Sequence, residues 1–256
     1  MSTNRFCDQM TNIKMRGFCR CEALPPATGL SLHWRSLLRR IAVVLLFVAV
    51  AVEGQSQNDS SLSVAPSRYS EIEEGDLIFV AQASDNAITR VTQGVDALAI
   101  DHVAIMHRIG GNGGPLYALE AIPRQGVTLT PVDSLIAREH GATLVQGRVQ
   151  GVDAHRSVRA ALRLVGHPYD DLYLAGDSAI YCSELVQMCY VDTAGGPIFS
   201  TIAMSFHDAT GRILDYWIEF YRQRGMAVPE GKPGTNPGEL SQRPEVKILG
   251  LVTSSD

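Results

Sequence analysis

Cys182 stands in the segment YCSELVQMCY, where a loop gives way to a run with helical spacing. A thiol at a helix start sits beside backbone N–H groups that carry partial positive charge. Such a place favours the thiolate, the nucleophilic form of cysteine. The same N–H groups can hold an oxyanion in a transition state. The plainer reading of a free cysteine is a small buried hydrophobe. Cys189, further into the same helix, suits that reading better.

A cysteine nucleophile needs a base, and the base needs a group that orients it. His102 follows Asp101 at the start of the alternating segment DHVAIMHR. His107 lies at the far end of that segment, on its opposite face. His140, His155, His167 and His207 fall in loops or helix ends. The glycine-rich stretch Gly110–Pro115 separates DHVAIMHR from LYALEAI, so the two segments read as a hairpin. A turn centred near Gly111 puts His102 directly opposite Glu120, with Cβ atoms about 5 Å apart. A carboxylate there accepts a hydrogen bond from the imidazole and fixes its tautomer. A slip of one residue would send the two to opposite faces. Leu119, Ala121 and Ile122 surround Glu120 with apolar positions, an uncommon setting for a solvated carboxylate. No HxxxH or CxxC spacing supports a metal site, and no GK[ST] follows the glycines, so neither a metal nor a nucleotide cofactor is expected.

The elements that must position these groups follow from periodicity. Leu77–Val80, Asp101–Arg108, Leu116–Ile122, Gly126–Pro131 and Ala142–Val149 read as strands, and Lys247–Val252 as a closing strand. Asn86–Gln93 reads as a brief helix, and Pro131–Ser134 opens another. Asp153 caps a helix that carries Val158, Ala161, Leu162 and Val165. Gly166–Asp177 and Pro229–Pro237 read as loops. Cys182–Tyr190 begins a helix with Leu185, Val186 and Cys189 on one face. Arg212–Arg224 is an amphipathic helix whose Ile213, Trp217, Phe220 and Tyr221 could line an apolar acyl site or simply pack a core. Strands cluster in the middle and helices toward the end, which gives an α+β class.

The first part of the chain has a different character. Ser31–Arg40 is basic, Ile41–Val52 is an unbroken apolar run of twelve, and Glu53–Ser56 is small or polar. This is the pattern of a secretory signal peptide, and the apolar run is short of the ~20 residues that span a bilayer. Residues 1–54 are therefore expected to be a leader, with Met15 as an alternative start, 55–71 a flexible Ser-rich linker, and 72–256 the working domain. If uncleaved, the leader would bring the domain close to a membrane. The whole chain has 22 basic and 27 acidic residues; removing 1–54 takes seven and three of these, leaving 15 and 24 and a net charge of −9. So acidic a domain argues against nucleic acid as a partner. Of five cysteines only Cys182 and Cys189 lie beyond the leader. Seven residues apart on one helix, they are separated by about 10 Å of rise, too far for a disulfide. A free thiol in an exported domain calls for a reason, and catalysis is one.

Several segments carry a resemblance: GDLIF (Gly75–Phe79), DHVAI (Asp101–Ile105), YALEA (Tyr117–Ala121) with GV at Gly126, YDDLY (Tyr169–Tyr173), YCSELV (Tyr181–Val186) and NPGELSQRPEV (Asn236–Val246). In this order they make residues 72–250 similar to the YiiX/YebB-like group of NlpC-type cysteine hydrolases, the circularly permuted papain-like amidases. The resemblance implies an α+β fold: a small antiparallel sheet or partial barrel packed against the helix of the nucleophile. It places the histidine strand before the cysteine helix, the reverse of papain. It assigns Cys182 as nucleophile, His102 as base and Glu120 as orienting acid, and gives Tyr169 a part in binding substrate or shaping the oxyanion site. The long segment Asn86–Ile100 departs from the pattern.

The expected activity is an exported cysteine amidase or peptidase working through a thioester. Its expected substrate is a small peptide, a cell-wall peptide or an N-acyl lipid. Two alternatives stand beside it: a thiol-dependent acyltransferase or lipase on an acyl group, and a non-catalytic binding protein on the same fold.

Overall fold

In the computed structural model the described residues are 69–252, except 83, 84, 112 and 177. The expected leader and all but the last three residues of the expected linker lie outside them. Tyr69–Glu71 form one 3-10 turn, after which Ile72 is buried.

The frame is a six-stranded antiparallel sheet. Its strands are β1 (Asp76–Ala81), β2 (Ile100–Arg108), β3 (Leu116–Ile122), β4 (Gly126–Pro131), β5 (Thr143–Val149) and β8 (Val246–Leu251), in the order β4-β3-β2-β1-β5-β8. β2–β3 and β3–β4 are joined by short hairpin connections, whereas β1–β5 and β5–β8 pair strands that lie far apart in the chain. β1 lies inside the sheet between β2 and β5, and all six of its residues are buried. Its alternation explains why DLIFVA is apolar almost throughout. Leu77 and Phe79 join one core with α3 (Cys182–Cys189). Ile78 and Val80 join another with Val132 and Leu135 of α1 (Val132–Arg138). Covering a sheet on both faces removes the need for a polar side. Burying a residue such as Phe79 contributes about 1.5–3 kcal/mol.

α2 (Ala154–Leu162) starts where expected, with Asp153 Oδ1 accepting the Arg156 N–H at 3.0 Å. Three expectations need correction. Asn86–Gln93 forms turns rather than a helix, although Asn86 and Thr89 bond each other's backbone groups as a helix start would. The helix expected over Arg212–Arg224 is shorter, α4 (Asp215–Arg222). The expected loop Pro229–Pro237 contains β7 (Pro233–Gly234), which pairs with β6 (Ile202–Ala203). It then leads into α5 (Pro237–Ser241), capped by Asn236 Oδ1 on the Glu239 N–H at 2.6 Å. Among the described residues no helix is long and apolar enough to cross a membrane.

Candidate active site

Cys182 is the first residue of α3, buried at 5% exposure, and follows Tyr181 in extended conformation. The Glu184 carboxylate accepts the Tyr181 N–H at 3.4 Å and the Gly176 N–H at 3.1 Å, which fixes the turn into the helix. A second network anchors the same turn from the far side. Tyr181 Oη accepts the Thr235 N–H at 3.0 Å, and Thr235 Oγ1 donates to Ser183 Oγ at 3.0 Å. Thr235 lies between β7 and α5, two elements that sequence periodicity does not reveal.

His102 lies near the start of β2. Its Nε2 is 2.6 Å from Glu120 Oε2, and Cys182 stands close enough to act on the ring by hydrogen bonding and charge. Sequence reasoning brought these residues together by a different register. The observed ladder pairs Ile105 with Leu119 and Arg108 with Leu116, two positions from the expected one. An even shift keeps the face and changes only the offset, so His102 and Glu120 meet diagonally.

Glu120 is fully buried, and it has a partner that the sequence did not suggest. Arg138, the last residue of α1, donates Nη1 to Oε1 at 2.9 Å and Nη2 to Oε2 at 2.7 Å. Burial pushes the Glu120 carboxyl up, but hydrogen bonds from His102, Arg138 and Thr130 and the charge on His102 outweigh it and hold it down at about 2. Burial likewise opposes protonation of His102. Hydrogen bonds to Cys182 and Glu120, and the negative charge of each, outweigh burial and push His102 up to about 10. The arrangement favours an imidazolium beside the sulfur. Cys189 differs: burial pushes its thiol up to about 12. Both cysteines are free. Of the other histidines, His107 pairs with Glu74 at 2.9 Å, His167 bonds the Leu164 carbonyl, and His207 pairs with Glu230.

Tyr169 reaches the site on the loop between α2 and α3. That loop is stitched to the β4 edge: Val127 N–H donates to the His167 carbonyl at 2.9 Å, and Gly166 N–H to the Val127 carbonyl at 2.8 Å. Gly126 allows this approach. Its φ is +75°, and a Cβ there would lie 2.0 Å from the His167 carbonyl oxygen. Asp170 then folds the loop by accepting N–H bonds from Leu172 and Leu174. Tyr173 packs edge-on against Tyr169, Tyr181 and Trp217. Burial pushes the Tyr169 phenol far above its ordinary range.

These residues enclose a cleft with about 490 Å³ of unfilled space, solvent included, over which Cys182, Tyr169, Tyr173, Phe206, Trp217 and Asp101 converge. Trp217 of α4 thus does both things considered for that helix: it lines the cleft and packs on Met204, Phe206 and Tyr221. Arg138 and Tyr173 escaped sequence reasoning. The helix expected to open at Pro131–Ser134 carries no sign that its last turn reaches a carboxylate, and the YDDLY segment gives no hint of which tyrosine packs where.

A family model described as "Permuted papain-like amidase enzyme, YaeF/YiiX, C92 family" matches residues 71–250. The crystal structure of metalloprotein yiiX from Escherichia coli O157:H7 is similar in fold, with a TM-score of 0.56 at 22% sequence identity. The match covers 70% of this chain and 97% of that one. No curated protein matches the chain significantly. The expected α+β fold, with an antiparallel sheet and the histidine strand ahead of the cysteine helix, is the observed one.

Proposed function

The chain belongs to the permuted papain-like amidase family YaeF/YiiX, C92, and from that premise we propose that it hydrolyses an amide bond with Cys182 as nucleophile, His102 as base and then acid, and Glu120 as the group that orients His102. One observation carries this reading: His102 is held through Nε2 to buried Glu120 at 2.6 Å, with Cys182 near enough for its hydrogen bonding and charge to favour the imidazolium.

The Cys182 sulfur, its proton passed to His102 Nδ1, attacks the substrate carbonyl carbon. The oxyanion formed is held by the N–H of Cys182 at the helix start. The C–N bond breaks as His102 returns the proton to the departing amine, leaving a thioester. Water, giving a proton to His102, attacks the thioester carbon, and the thiolate leaves with the acid released. Glu120 keeps the imidazole in one orientation through both halves and compensates its positive charge. Tyr169 borders the reacting carbonyl and binds substrate.

The substrate is a small peptide, a cell-wall peptide or an N-acyl compound. The basic, apolar and small-residue succession over Ser31–Ser56 supports export. A second reading is favoured by the aromatic walls formed by Tyr173, Phe206 and Trp217. In it an alcohol or amine replaces water and the enzyme transfers a lipid acyl group. The structural neighbour is titled a metalloprotein. Among the described residues no group of three or more His, Cys, Asp or Glu side chains could hold a metal ion, and the Glu120 oxygens are taken by Arg138 and His102. No step is routed through a metal.

Iodoacetamide at pH 6 tests the nucleophile without knowing the substrate. Peptide mass spectrometry should find Cys182 alkylated far faster than Cys189, and His102→Ala should slow that reaction at least tenfold. Equal rates at the two thiols, or indifference to His102→Ala, would sink the reading. A binding protein on a dead hydrolase fold would give that result. Mass spectrometry of the adduct left on Cys182 after contact with an envelope extract would then identify the acyl group.

A further inference from the structure

The start of β2 carries an irregularity that re-aims one side chain. β1 pairs Val80 with His102 and Ala81 with Ile100, so Asp101 is an extra residue on β2. A bulge of this kind bends the strand and redirects a side chain, often beside an active site. Here it keeps Ile100 and Val103 in the same core and puts the Asp101 carboxyl in the wall of the cleft that holds Cys182. Oδ2 accepts a hydrogen bond from Asn86 Nδ2 at 3.0 Å. Oδ1 is buried and has no hydrogen-bond partner among the described residues. A buried acceptor without a donor costs about 1–3 kcal/mol, so a partner arriving with the substrate would be well received.

The rest of the lining says what kind of partner. Among the described residues no lysine, arginine or second carboxylate lines the cleft, and the cation acting on Asp101 is its chain neighbour His102, which is committed to Glu120. Tyr169, Tyr173, Tyr181, Phe206 and Trp217 form much of its wall, and aromatic faces attract cations. One carboxylate among aromatic faces suits an ammonium group carried on an apolar body. It repels an anionic end. We propose that Asp101 is the specificity-determining residue that receives a substrate ammonium group, so that the cleft takes apolar α-aminoacyl amides with a free amine. This rests on the amide-hydrolase reading for the chemistry, but not for the binding.

Calorimetric titration of the full chain with three ligands of one aromatic skeleton tests it: L-phenylalaninamide, N-acetyl-L-phenylalaninamide and 3-phenylpropanamide. The wild type should bind the free amine at least tenfold more tightly than either neutral compound. In Asp101→Asn that preference should fall below twofold. A wild type that binds all three equally, or none, overturns the proposal, and does so without any variant. A preference that survives in a folded Asp101→Asn protein overturns it as well. Release of 4-nitroaniline from L-phenylalanine 4-nitroanilide separates the two readings. A free-amine preference in binding without any hydrolysis keeps the Asp101 assignment and removes the hydrolase.

Discussion

Glu120 Oε2 lies 2.6 Å from His102 Nε2 although the two residues are not opposed across the sheet. The β2–β3 ladder ends at Ile105–Leu119, and Glu120 takes its place opposite Thr128 of β4 instead. The same oxygen receives Arg138 Nη2 at 2.7 Å. Glu120 therefore balances two cations, and each of them helps keep it ionised in a buried place.

The charge on Glu120 helps His102 retain its proton. Glu120→Gln keeps the shape and removes the charge. The alkaline limb of the activity profile, set by His102 near 10, should move down by about one unit or more, since each unit reflects about 1.4 kcal/mol of lost stabilisation of the imidazolium. The rate at the optimum should fall roughly tenfold or more. Stopped-assay rates between pH 6 and 10.5 on any cleaved amide check both. An alkaline limb in the same place in both proteins would show that Glu120 does not act on His102.

Much of this site was legible in the sequence, and the gaps have physical reasons. Period-two alternation placed β3 and β4 at their observed bounds, and the loop-to-helix change found Cys182 at the start of α3. His102 and Glu120 were paired through a register two positions off, which preserved the face because side chains alternate with period two. Arg138 was not legible: a cation in the last turn of a surface helix normally serves the helix dipole, and nothing local says that it reaches a carboxylate on another element. Asp101 was passed over because a bulge breaks the alternation that sequence reading relies on. Thr235 and α5 were hidden in a Gly- and Pro-rich stretch, where loop composition masks a short capped helix.

Stability should vary with pH on both sides of a plateau. Glu120 falls from an ordinary 4.5 to about 2 in the folded chain. Its contribution is therefore present above pH 4.5 and lost as pH falls toward 2. His102 rises from 6.5 to about 10. Its contribution is complete below pH 6.5 and lost as pH rises toward 10. Denaturation midpoints measured from pH 2 to 10 should peak between about 4.5 and 6.5, and His102→Gln should flatten the alkaline side. A midpoint that climbs steadily from pH 6.5 to 10 would contradict the folded-state proton on His102.

Gly126→Ala puts a methyl group where 2.0 Å separates its position from the His167 carbonyl oxygen, at a φ of +75°. The strain alone is worth about 1–3 kcal/mol, and the clash is with backbone, which has no rotamer to yield. The loop carrying Tyr169 should move away from the β4 edge. Urea unfolding should show a loss of at least ~2 kcal/mol, with a higher KM for any cleaved amide. A fully stable variant would mean that this loop is not held against β4.

Tyr181→Phe removes one oxygen beneath the nucleophile turn. The Thr235 N–H then loses the acceptor it has at 3.0 Å in a buried place, and Thr235 Oγ1 keeps only Ser183. A buried donor left unpaired costs about 1–3 kcal/mol. The Tyr181 ring also packs against Tyr173 at 5.6 Å between centroids, and phenylalanine keeps that contact. The expected outcome is a loss of about 1–3 kcal/mol in denaturant unfolding, with faster exchange of the Thr235 amide proton and a smaller effect on alkylation of Cys182 than that of His102→Ala. If exchange at Thr235 is unchanged, the hydroxyl does not tie β7 and α5 to the start of α3, and the cleft must be held together by its apolar packing alone.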